Sequence, residues 1–107
     1  MIYKVSWCYM YHPLTTFTVD ETAKTISDIE NTSDNNLNKF FGKLTSPSWE
    51  FFEDMCSYRC WDRRSKYNAV RLSELGLAEY DAWEIVKKTQ GRVYGDNYWL
   101  EIKPIEG

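Results

Sequence analysis

The hydrophobic period of this chain changes once, near its middle, and that change limits the fold more than any other feature of the sequence. In residues 2 to 11 the apolar positions alternate: Tyr3, Val5, Trp7 and Tyr9 fall on one face of a strand. His12-Pro13 is expected to end it, because proline has no N–H for a ladder. Residues 15 to 19 repeat the alternation, with Phe17 and Val19 sharing a face, and the polar run 20 to 24 predicts a turn into a third strand over 25 to 29. Asn, Thr, Ser and Asp crowd residues 31 to 38 and predict a loop, followed by a short connection through Phe40, Phe41 and Leu44.

Beyond that point the spacing is helical. Ser46 as N-cap with Pro47 at the first helical position predicts a helix over 48 to 60, with Trp49, Phe52, Cys56 and Cys60 along one stripe. A second helix over 67 to 75 carries Val70, Leu72 and Leu75 and stops at Gly76, a left-handed C-terminal residue. Asp81 caps a third, with Glu84 completing a capping box and Trp83, Ile85 and Val86 partly buried before an end near Gly91. Gly95-Asp96-Asn97 is turn chemistry, and residues 98 to 102 form a last strand. Strands first, helices second and one strand to close predict an α+β fold: a small antiparallel sheet with two or three helices packed on one face. A chain of 107 residues without repeats or long linkers is expected to be a single domain.

Composition bears on function. Aromatic residues make up 17% of the chain, more than a thin core requires, so some are expected on the surface, where Tyr and Trp anchor protein interfaces. The net charge of −3 opposes general nucleic-acid binding, which needs a basic surplus. No apolar run reaches the length of a membrane span, and Met1-Ile2-Tyr3-Lys4-Val5 lacks the pattern of a signal peptide. Three Cys and one His then fit free thiols in the cytoplasm.

The residues that carry chemistry are sparse. Cys8 with His12 and Cys56 with Cys60 make a superficial zinc set, yet on a strand the first pair stands about 13 Å apart. The cysteines are better read as small buried apolar groups, and no metal or cofactor is expected. Arg59, Arg63 and Arg64 are the only feature that would activate Cys60 as a nucleophile, and His12 beside a proline reads as a surface turn. Glu53-Asp54 and Asp20-Glu21 are adjacent pairs that point apart, and Gly91 and Gly95 are too isolated for a phosphate loop. No enzyme is expected.

Charge distribution is more informative. Residues 56 to 74 carry +3, against −4 before them and −2 after. Aromatics interleave with the basic residues, which makes Tyr58, Arg59, Trp61, Arg63, Arg64 and Tyr67 the candidate binding residues. An acidic protein patch is the preferred partner over stacked nucleic-acid bases. The alternative is a solvated turn whose charges pair with the acidic N-terminal half.

One resemblance sharpens this expectation. The order Arg59-Cys60-Trp61-Asp62-Arg63-Arg64, Leu75-Gly76-Leu77, Ile85-Val86 with Gly91, then Asp96-Asn97-Tyr98-Trp99-Leu100 resembles the N-terminal, non-catalytic module of HipA-like serine/threonine kinases of Firmicutes and related small free-standing proteins. Phe17-Thr18-Val19-Asp20, leading to Ile26, sits where that module has a hairpin, although the Arg59 to Arg64 turn lacks the family's proline. The kinase lobe is absent, so the resemblance implies a non-enzymatic companion or regulator of a toxin kinase. The rival expectation is an anti-CRISPR-like inhibitor of a host defence nuclease, carried by a phage or mobile element.

Overall fold

The computed structural model describes residues 1–32 and 38–106. Three strands, β1 (Ile2–Tyr9), β2 (His12–Asp20) and β3 (Thr25–Asn31), precede three helices, α1 (Trp49–Ser57), α2 (Asn68–Glu74) and α3 (Ala82–Thr89), and β4 (Tyr98–Glu106) follows. The sheet is antiparallel throughout, in the order β3-β2-β1-β4, so the first strand is central and pairs with the last. This is the expected α+β architecture. No helix among the described residues is long and apolar enough to cross a membrane.

The alternating strands put Tyr3 and Val5 of β1, Phe17 and Val19 of β2 and Leu100 of β4 on one buried face. Onto that face pack Phe52 and Cys56 of α1 and Ala82, Trp83 and Val86 of α3. Phe40 and Phe41, from the connection after β3, complete the layer. Phe52 is fully buried and meets Phe17 edge-on at 5.9 Å, Trp49 at 5.2 Å and Trp83 at 5.3 Å, which makes it the node of an aromatic lattice. α2 adds nothing to this cluster: its one buried side chain, Leu72, lies apart from it.

Several boundaries differ from those the sequence predicts. His12-Pro13 opens β2 instead of closing β1, because Met10, in a left-handed conformation, and Tyr11 make a two-residue reversal. Pro13 is accommodated at a bulge, where the register skips Leu14 opposite Trp7 and Cys8. Tyr9 lies at this irregular end and is exposed, unlike the rest of its predicted face. β3 runs on to Asn31 and β4 to Glu106, and most of the predicted loop, residues 33–37, lies outside the described residues.

The N-cap of α1 is Ser48, whose hydroxyl accepts from the Phe51 amide at 3.0 Å, and not Ser46. Pro47 is instead buried just before the cap, with Phe52 in the fifth place after it, the positions of a hydrophobic staple. α1 ends at Ser57, so Cys60 lies beyond the helix. At α3 only half of the predicted capping box forms: Asp81 accepts from the Glu84 amide, while the Glu84 carboxylate pairs with Lys87 at 2.9 Å.

Glu21 ties α3 to the sheet from the β2–β3 turn. Its Oε1 accepts from Trp83 Nε1 at 3.0 Å and from Lys87 Nζ at 2.8 Å. Burial pulls its carboxyl upward, but these hydrogen bonds and the Lys87 charge outweigh burial and hold it below the ordinary 4.5. Burial likewise opposes the charge on Lys87, yet Glu21 and Glu84 raise it to about 12.

Two predictions test this packing. Phe52→Ala should cost about 3–5 kcal/mol in denaturant unfolding, and an unchanged midpoint would mean that the lattice does not depend on this ring. The stabilisation from Glu21 is complete above its ordinary value of 4.5 and is lost as pH falls through its lower folded value. That from Lys87 is complete below 10.5 and is lost as pH rises through about 12. Unfolding free energies measured between these limits should form a plateau that falls at both ends, and Glu21→Gln should flatten the acid limb.

Candidate functional site

The chain leaves α1 through successive tight turns, with the amides of Arg59 and Cys60 donating to the carbonyls of Cys56 and Ser57. Those turns aim consecutive side chains in different directions, so the six candidate binding residues do not form one surface. Arg59 turns inward. Its side chain is only 12% exposed; Nε donates to the Gly91 carbonyl at 2.9 Å, and both terminal nitrogens reach the Asp96 carboxylate at 3.0 Å. One of them also donates to the Tyr98 carbonyl, and the guanidinium lies 5.1 Å from the Trp7 ring centre. The hydrogen bonds from Arg59, against a small cost of burial, hold the Asp96 carboxyl below its ordinary value. Arg64 faces solvent and chelates Asp62.

Trp61 is half-buried and forms a ridge between two hollows. Its Nε1 donates to Asn68 Oδ1 at 2.7 Å, and its ring meets Tyr80 edge-on. The Tyr80 hydroxyl donates to the Trp61 carbonyl at 2.7 Å, which fixes the turn to the segment before α3. On one side lies a cleft of about 780 Å³ whose walls include Tyr58, Arg63 and Tyr80 and four carboxylates, Glu53, Asp54, Asp62 and Asp81. Arg63 lies over the Tyr80 ring at 4.9 Å. Burial and the neighbouring Asp81 push the Glu53 carboxyl up, consistent with crowded negative charge.

On the other side two smaller hollows, of about 480 and 340 Å³, share Trp61, Arg71 and Thr89 and so form one groove. Tyr67, Val70 and Glu74 line one end; Arg92, Val93 and Tyr94 line the other. Tyr67, Val70, Val93 and Tyr94 are all exposed. A Schellman turn supports this wall from α2: the Leu77 amide bonds the Leu72 carbonyl and the Gly76 amide that of Ser73, with Gly76 left-handed as predicted. Of the candidate residues, Arg59, Trp61 and Tyr67 line the groove, and Tyr58, Trp61 and Arg63 line the acidic cleft.

Arg71 belongs to the basic run read in the sequence, whereas Arg92, Val93, Tyr94 and Tyr80 went unnoticed there. Each of these four sits in a connection without periodicity, and only the folded chain brings it beside Trp61.

The cysteines are not activated. Burial raises the Cys60 thiol to about 12 despite the neighbouring Tyr80 hydroxyl and Arg59 charge, and burial also raises Cys56 and Cys8. The arginines of this turn therefore fail to produce a thiolate. Among the described residues no group of three or more His, Cys, Asp or Glu stands close enough to hold a metal ion.

Arg59 is thus a strut under the turn that carries Trp61. Removing it leaves the Gly91 and Tyr98 carbonyls without their donor, so Arg59→Ala should cost about 2–3 kcal/mol in denaturant unfolding. Arg64→Ala, at a solvent-exposed pair, should change the midpoint little. Equal effects from the two variants would show that the Arg59 bonds contribute no more than a surface pair.

No family model, curated protein or solved structure matches this chain.

Proposed function

We propose that this chain is a non-enzymatic protein-binding module and that its partner docks in the groove beside Trp61. One observation carries the reading: Tyr67, Val70, Val93 and Tyr94, exposed apolar residues from two separate connections and a helix, flank a single groove around a half-buried Trp. Such a cluster has no use in the core, which is already complete without it. Trp, Tyr and Arg are also the residue types that dominate interface hot spots. The raised thiol of Cys60 supports a binding role over cysteine chemistry.

The resemblance to the non-catalytic module of HipA-like kinases makes such a kinase the first partner to try. In that role the chain is a companion or regulator of a toxin kinase. Affinity purification from the native host supplies the partner, and calorimetry with the purified pair measures the affinity. Trp61→Ala should weaken binding by about 2 kcal/mol or more, with melting curves run beside it to register any loss of fold. Unchanged affinity when Trp61, Tyr67 and Tyr94 are all replaced by alanine would overturn the reading. Recovery of a nuclease in place of a kinase would keep the docking surface and discard the kinase.

A further inference from the structure

Resting on that reading, we infer that the occupant of the groove is an acidic protein segment that carries a large apolar side chain. Arg59 also lines the groove but is spent on Asp96, so the charged residues left to face an occupant are Arg71 and Arg92, with Glu74 at one end. Neither arginine has an ion pair among the described residues, whereas Arg59, Arg64, Lys87 and Lys103 all do. Both guanidinium groups lie over indole rings: Arg71 is 5.5 Å from the Trp61 ring centre, and Arg92 is 4.5 Å from that of Trp99, where the groove meets the hollow that Trp99 and Asp96 line. Arg92 commits one N–H to Gln90 at 3.3 Å. Stacking fixes the plane of a guanidinium and leaves the edges of its fork open to a carboxylate. Between the two positions the exposed apolar residues, with the buried Ile85 beneath them, offer a seat for an apolar side chain.

A nucleic-acid strand fits less well. It needs a continuous basic track along its phosphates, and each neutralised phosphate contributes to affinity. Two arginines do not make such a track. Across the Trp61 ridge the carboxylates of Glu53, Asp54, Asp62 and Asp81 would repel the continuing phosphate backbone. A peptide needs only two carboxylates at the right separation, and the acidic wall beyond the ridge then sets its direction.

The test is a nitrogen-15 NMR titration of the intact chain with three probes: a short blocked peptide of glutamates around one leucine, the same peptide with lysines for glutamates, and oligothymidylate. The glutamate peptide should shift the Trp61 indole N–H and the amides of Val70 and Val93 saturably, and the other two probes should not. Arg71→Glu with Arg92→Glu should weaken that binding about tenfold or more, whereas Arg63→Glu with Arg64→Glu should not weaken it. Absence of shifts, equal shifts from the lysine peptide or oligothymidylate, or indifference to the Arg71 and Arg92 reversal would overturn the inference. If the glutamate peptide fails while the triple alanine variant still loses the purified partner, the groove remains the docking surface and only its acidic occupant falls.

Discussion

The guanidinium of Arg59 joins parts of the chain that have little else in common. It sits just past α1, yet its four hydrogen bonds end on Gly91, Asp96 and Tyr98, at the loop between α3 and β4. Through them the turn that carries Trp61 and the loop that carries Arg92, Val93 and Tyr94 become one rigid rim. Gly91 is fitted to this arrangement, because a Cβ there would come within 3.1 Å of Leu100 and 3.4 Å of Arg59, at a backbone φ of +61°. Without the strut, the two walls of the groove would belong to independent loops. Preorganisation of this kind lowers the ordering cost of binding, whatever the partner.

The two sides of Trp61 differ in sign, though the residues behind them are neighbours in sequence. Asp62 and Arg63 face the acidic cleft, while Arg71, one helix away, faces the groove. A summed charge of +3 over residues 56 to 74 conceals this separation. Part of that sum is internal, although not through the acidic N-terminal half as the solvated-turn alternative supposes: Arg59 pairs with Asp96 in the loop before β4, and Arg64 with Asp62 of the same turn. Arg71 and Arg92 line the groove without an ion pair among the described residues, and the second of these lies outside the basic run altogether.

The sheet was legible because alternation is a local signal that burial of one face enforces. Tyr3, Val5, Phe17 and Val19 are buried as their spacing predicts. α3 was legible too, since Asp81 is its only capping candidate and Trp83, Ile85 and Val86 fall on its inward side. The start of α1 was misplaced for a physical reason: Ser48 is as good a cap by type as Ser46, and Pro47, read as the first helical residue, is buried ahead of the cap instead. The hairpin tip was missed because Met10 adopts a left-handed conformation usually signalled by Gly or Asn. Of the groove, Trp61 and Tyr67 were readable from their residue types. Its other half arrives from the loop before β4, through the long-range bonds of Arg59, which no local pattern announces.

The central position of β1 has a consequence for synthesis. β1 and β2 can pair as soon as both are made, but the second edge of β1 is reserved for β4, the last strand of the sheet in sequence. Ile2 pairs with Glu106, and Val5 with Ile102. Until β4 is made, therefore, an apolar strand bearing Val5 and Trp7 has an open edge, and such an edge is a template for wrong pairing between nascent chains. Closing the sheet joins strands distant in sequence, a non-local pairing of the kind that slows folding.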